Sequence, residues 1–265
     1  GFRFAGFAGI TFWMTMIVVL SGFVGRYIYT AIPRTAAGDE IEIAQLEAAI
    51  DRAEGELQVW LSAHGGSFRE LVDQMGAEPG DHVLEIGCGW GGFAEYAAGT
   101  RGLQVTGLTI SREQHDYAVA RIAKAGLSDK VTIKMQDYRD ETGIYDGIAS
   151  IEMFEAVGEQ YWPKYFETVR ERLKPGKHAT LQIITVKDER WEAYRKGVDF
   201  IQKYIFPGGV LPVLQQIDAA TEGLFILEDL HNIGTHYDPT LMAWMANVDK
   251  HREEIRRLGY DERFY

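Results

Sequence analysis

The stretch "LEIGCGWGGF", residues 84–93, sets Glu85 inside an apolar run and follows it with glycines at 87, 89, 91 and 92. Glycine lets a ligand approach the backbone where a Cβ would obstruct it, and a carboxylate in an apolar run needs a partner. Gly87, Gly89 and Gly92 also satisfy G-x-G-x-x-G, a spacing that serves dinucleotides when it lies between a strand and a helix. A dinucleotide site commonly adds an acid at the end of the second strand for the ribose. Here that position reads "GLTIS", with Thr109 and Ser111 but no acid. The acid stands instead two residues before the first glycine, which suits a ligand carrying a positive charge and an amino group. S-adenosylmethionine, with its sulfonium and ammonium groups, meets that requirement better than a diphosphate does. Plain turn formation by the glycines is the alternative.

These residues need elements to hold them. From residue 82 onward, short β-rich runs alternate with amphipathic segments, which predicts strands at 82–86, 104–108, 131–135, 144–150 and 178–185. Helices are expected at 92–98, 111–125 and 159–173, the second opened by a capping box of Ser111 and Gln114. The fold class is therefore α/β, a mostly parallel sheet with helices on both faces and ligands beyond the carboxyl ends of its strands. A further short helix is expected at 67–75, before the turn Pro79-Gly80-Asp81. Upstream, Asp39 can cap a helix in which Ile43, Leu46, Ile50, Ala53, Leu57 and Trp60 recur by threes and fours. That helix reads as one packed on its own domain rather than as a coiled coil.

Residues 4–25 carry no charge, and 22 residues at about 1.5 Å each suffice to cross a bilayer. A membrane span is expected there, with a buried hydrophobic helix and a cleaved signal peptide as alternatives. Arg26 and Arg34 after the run outweigh Arg3 before it, which places the body on the cytoplasmic face. Ala5 and Gly9, then Ser21 and Gly25, have the small-residue spacing of helix pairs, compatible with a homodimer. The expected organisation is an anchor segment at 1–34, a helical linker region at 35–78 and a catalytic domain at 79–265. The chain begins at Gly1, which fits a processed product or a piece of a longer protein.

The net charge is −12 over 265 residues, and the first 34 contribute three arginines and no acid, so the remainder carries −15. Such a body argues against nucleic-acid binding, which relies on a positive footprint. Cys88 is the single cysteine, which excludes an internal disulfide. No metal site is expected, since His231 and His236 lack partners at ligand spacing.

In order and spacing, "HVLEIGCGWGGFAEYAA", "VTGLTISREQ", "QDYRD", "SIEMFEAVGEQYWPKYFETVRERLKPG", "FIQKYIFPGGVLP" and "DLHNIGTHYDPTLMAW" resemble the cyclopropane fatty-acid synthase family of class I methyltransferases over about residues 79–265. The first 75 residues do not resemble it. The resemblance implies a Rossmann-like methyltransferase sheet and S-adenosylmethionine as donor. Glu85, Gly87, Cys88, Gly89 and Gly91 would line its methionine and ribose portion, and Thr109, Ser111 and Gln114 would supply neutral hydrogen bonds. Asp137 and Tyr138 match the adenine-side pair. The implied reaction is methyl transfer to the double bond of an unsaturated fatty-acyl chain, followed by proton loss and ring closure.

The family's base is held to be bicarbonate, gripped in part by residues that match Glu155 and Tyr237. Departures cluster there. Ala156 and Gln182 stand where histidines are usual, the cysteine-bearing segment is absent, and Glu152 replaces a common glycine. Fewer anion ligands and an added acid weaken bicarbonate binding, so proton loss to Glu155 or Glu152 is expected, giving a methyl-branched unsaturated chain rather than a ring. The resemblance also makes "IFPGGVLP", residues 205–212, a substrate lid. Because the chain stops before the family's last strand, residues 225–228 are expected to form an unpaired edge. Two other functions remain: a methyltransferase for another hydrophobic small molecule, and a decayed cofactor-binding membrane protein.

Overall fold

The computed structural model describes residues 67–198, 202–203, 207–233 and 237–257. The expected anchor at 4–25, the heptad-like helix, Ile205, Phe206 and His236 lie outside them. The chain divides into two compact units, one of residues 65–227 and the other including residues 228–265.

The first unit is built on five parallel strands: β1 (His82–Ile86), β2 (Gln104–Thr109), β3 (Val131–Met135), β4 (Gly147–Ile151) and β5 (Ala179–Gln182). Their order is β3-β2-β1-β4-β5. Winding proceeds outward from β1 to β3 and then returns to β4 on the other side of β1, where Glu85 pairs with both Gly107 and Ala149. At that reversal the connections leave in opposite directions, opening a crevice at the carboxyl ends of β1 and β4.

Both faces of the sheet are covered. Helices α1 (Ser67–Met75), α2 (Gly92–Arg101) and α3 (Arg112–Lys124) cover one, packing Leu71, Met75, Phe93 and Ile122 against Val83 and Val105. Helix α4 (Trp162–Arg172) covers the other, setting Trp162, Tyr165, Phe166 and Val169 against Leu84, Ile86 and Ile148. Val83 and Leu84 thus serve opposite cores, as the two-residue period of a strand demands. Because α1 packs into the first core, the compact unit takes in residues upstream of 79.

All five expected strands form, with the main shifts at the start of β4 and the end of β5. Tyr145 is drawn away from the ladder into a single bridge with Leu173, its amide donating to the Arg172 carbonyl (2.8 Å), so β4 starts at Gly147. Strand β5 stops at Gln182 because the next amides turn elsewhere: Ile184 donates to the Glu155 carboxylate and Val186 to the Pro212 carbonyl. The expected helix at 159–173 divides into a 3-10 turn, Glu159–Tyr161, and α4, with Pro163 in the first turn, where no backbone amide is needed. Residues 225–228 carry no strand. Short helices α5 (Trp191–Lys196) and α6 (Leu214–Thr221) follow, and the second unit contains α7 (Tyr237–Lys250) and α8 (Arg252–Arg257). Among the described residues no helix is long and apolar enough to cross a membrane.

Candidate active site

The site grows from the end of β1. Glu85 is 2% exposed, and its Oε2 is buried without a hydrogen-bond partner. Burial alone pushes its carboxyl well above the usual carboxylate range. Such an atom costs roughly 1–3 kcal/mol or more for a charged group, so its retention points to a partner that arrives from outside the chain.

The loop that follows has Gly87, Gly89 and Gly91 at φ of 83°, 51° and 81°, a region side chains rarely enter. A Cβ at Gly87 would lie 2.6 Å from Cγ of Met153, so glycine is what lets the β1 loop meet the β4 loop. At Gly89 a Cβ would meet nothing within 4 Å; that backbone faces open space and is where a ligand can rest. Gly91 serves packing, since its Cβ would come within 3.1 Å of that of Ala118 on α3. The Cys88 side chain is buried, and burial followed by the Glu85 charge raises its thiol, so it is inert.

At the end of β2 the neutral residues bind one another. The Thr109 hydroxyl donates to Oε1 of Gln114 (2.8 Å) and accepts from the Ser111 amide (3.2 Å). The Ser111 side chain caps α3 by accepting from the Gln114 amide (3.3 Å). Only half of the expected capping box therefore forms, because the Gln114 side chain turns to Thr109. After β3, the Gln136 amide donates to the Thr109 carbonyl (2.9 Å), bringing Asp137 and Tyr138 to the same edge. Arg139 grips Asp137 with Nε (2.9 Å) and Nη2 (2.6 Å) and holds its carboxyl below the ordinary value. The Tyr138 ring stands edge-on to Tyr165, centroids 5.5 Å apart.

After β4 come the two acids expected to do chemistry. Glu152 alone among described non-glycine residues has a positive φ, 50°. Its amide donates to the Gln182 carbonyl (2.9 Å), and Nε2 of Gln182 donates to its Oε1 (3.0 Å). Burial raises its carboxyl, and the hydrogen bond from Gln182 opposes the rise. Glu155, on the 3-10 turn Phe154–Ala156, accepts from the Ile184 amide at Oε1, and its Oε2 is buried without a partner. Burial raises its carboxyl, the Ile184 amide opposes, and the Glu152 charge adds to the rise.

Phe154, the neighbour of Glu155 in the chain, belongs to a buried aromatic cluster. Phe154 stacks on Trp162 at 5.4 Å and meets Tyr165 edge-on at 5.1 Å, and Trp162 continues to Trp191 at 6.2 Å. Residues 207–212 of the expected lid are latched beside it: Val210 donates to the Glu155 carbonyl (3.0 Å) and Leu211 to the Tyr194 hydroxyl (3.1 Å). Tyr237 opens α7 in the second unit, and Ala156 is exposed. Sequence reasoning missed Met153, Trp162, Tyr165 and Tyr194. Their helical or loop positions look like packing, and only the buried, unpartnered Trp162 Nε1 and Tyr165 hydroxyl mark two of them as more.

A five-stranded parallel sheet with an acid and left-handed glycines at its winding reversal defines the class I methyltransferase fold. The chain matches the family described as mycolic acid cyclopropane synthetase over residues 56–265 and belongs to it. It is 42% identical over 197 residues to tuberculostearic acid methyltransferase UfaA1 of Mycobacterium tuberculosis, covering 73% of this chain and 46% of that one. It is 41% identical over 204 residues to the cyclopropane-fatty-acyl-phospholipid synthase of Escherichia coli (strain K12), covering 77% and 51%. The chain thus spans about half the length of these curated relatives. The crystal structure of mycolic acid cyclopropane synthase CmaA1 complexed with SAH and CTAB shares the fold, with a TM-score of 0.71 at 21% identity over 98% of this chain and 88% of that one.

Proposed function

We propose that this protein transfers a methyl group from S-adenosylmethionine to the double bond of an unsaturated fatty-acyl chain of a phospholipid. The observation that carries the reading is the buried, unpartnered Oε2 of Glu85 above a glycine loop whose Gly89 backbone is open. Bound there, S-adenosylmethionine supplies an electrophilic methyl group on a positively charged sulfur. Glu85 offers its positive end a fixed counter-charge, and Tyr138 offers an aromatic surface. Phe154, Trp162 and Tyr165 exclude water from the acyl chain and present π faces to the positive charge that develops on it.

Proton removal falls to Glu155. Its Oε1 is fixed by the Ile184 amide, and its free Oε2 takes the proton while the C–H electron pair moves onto the adjacent cationic carbon as the π bond of a new double bond. Bicarbonate does not fit here: two carboxylates face the position, Gln182 is bonded to Glu152, and Ala156 offers no donor. With Glu155 as acceptor, a proton next to the former double bond leaves in preference to one on the new methyl group, and the product is methyl-branched and unsaturated. The proposed setting is the cytoplasmic face of a membrane, with residues 4–25 as anchor and the acyl chain drawn from the bilayer past residues 205–212. Pairing of anchor segments would make it a homodimer.

The test is transfer of labelled methyl from S-adenosylmethionine into bilayers of unsaturated phospholipid, with the product identified by mass spectrometry and NMR. A methyl-branched unsaturated chain is expected; a clean cyclopropane would overturn the role given to Glu155, and a label confined to a non-lipid acceptor would overturn the substrate.

A further inference from the structure

Tyr165 sits one turn into α4, fully buried, with its ring against Tyr138 (5.5 Å), Phe154 (5.1 Å) and Phe166 (5.2 Å). Three aromatic contacts fix the ring, yet its hydroxyl has no hydrogen-bond partner. The next residue along the chain from Phe154 is Glu155, whose Oε2 is the matching case: a buried acceptor with no donor. An unpaired donor and an unpaired acceptor buried around one shared ring each cost about 1–3 kcal/mol, and one hydrogen bond between them removes both costs. Glu155 lies close enough to be among the groups that raise the Tyr165 phenol, after burial and Tyr138.

We propose that Tyr165 is a positioning residue, its buried hydroxyl donating to Oε2 of Glu155 in the loaded site and so holding that carboxyl ready to take a proton. This rests on the reading of Glu155 as proton acceptor. The groups facing the pair are Ser150 on β4, Glu152 after it, Tyr138 after β3 and the Ile184 amide after β5. The Ser150 hydroxyl donates to the Ile86 carbonyl (3.2 Å), and its oxygen lies near enough to the Tyr165 phenol to lower it, so it is the competitor for that hydroxyl until the site is loaded. Glu152 favours the protonated form of Glu155, and a hydrogen bond from Tyr165 favours the charged form.

The experiment is carbon-13 NMR titration of the Glu155 carboxyl in the full chain saturated with S-adenosylhomocysteine, the signal assigned with Glu155→Gln. Tyr165→Phe keeps every ring contact, and it is expected to move the titration midpoint to higher pH by roughly one pH unit, the size of one charge-assisted hydrogen bond. Fluorotyrosine at position 165, a stronger donor, moves it lower. Unchanged midpoints in both would overturn the proposal. A purely structural role lowers thermal stability and leaves the midpoint in place. Failure of the wild type to bind S-adenosylhomocysteine would count against the cofactor reading instead.

Discussion

Glu85 is a liability to the protein until a positive charge comes to it. Its raised carboxyl means that the folded chain holds this proton more tightly than the unfolded chain does. The stability linked to that group is therefore complete below about 4.5, the ordinary value, and is lost as pH rises through the raised folded value. Glu155 and Glu152 are displaced in the same direction. Glu85→Gln is expected to raise the melting temperature of the donor-free protein at neutral pH and to flatten its decline between about pH 5 and about pH 8. Calorimetry across that range checks it; a variant that melts lower at neutral pH would mean that the carboxylate has an internal partner. Glu85 and its glycines were legible in the sequence because an acid inside an apolar run has few bland explanations. Tyr165 was not, because an aromatic residue on an amphipathic helix looks like core, and only the position of its hydroxyl says otherwise.

Two glycines of one loop separate the fold's needs from the ligand's. Gly87 meets Met153, so Gly87→Ala has both left-handed strain and a clash and is expected to cost about 2–4 kcal/mol. Gly89 opens to free space, so Gly89→Ala costs only about 1–2 kcal/mol of backbone strain while weakening donor binding at least about tenfold. Denaturant unfolding beside donor titration separates the two, and equal stability losses with unchanged affinity would deny the ligand a place on Gly89. The same scale shows where elements were readable. Strands β1 and β3 were found to the residue and β2 within one, because their runs are bounded by turn residues. The ends of β4 and β5 were not, because what stops them is tertiary: the Arg172 carbonyl claiming Tyr145 and the Glu155 carboxylate claiming Ile184. The positive φ of Glu152 had no sequence signal either, since glycine is the residue that announces such a conformation.

For the whole molecule, the proposed setting gives the acidic body and the uncharged run at 4–25 separate tasks. A body of charge −15 is repelled by anionic bilayers, so the proposed attachment would fall to the apolar segment rather than to a basic surface. Removing residues 1–34 is expected to shift the protein from the membrane pellet to the supernatant while leaving donor affinity unchanged; retention in the pellet would assign attachment to the body. The mostly parallel sheet followed from alternating strand and helix patterns; the order β3-β2-β1-β4-β5, whose winding reversal places the crevice, did not, because strand neighbours are chosen by tertiary packing. The aromatic wall was not legible, because Phe154, Trp162 and Trp191 come from separate segments that only folding brings together.

Isothermal titration of the full chain with S-adenosylmethionine, beside Glu85→Gln, addresses the donor site most directly. Saturable binding of one molecule per chain is expected, weakened about tenfold to a hundredfold by the substitution. Absence of saturable heat, equal affinity in the variant, or displacement by a nicotinamide dinucleotide would contradict it.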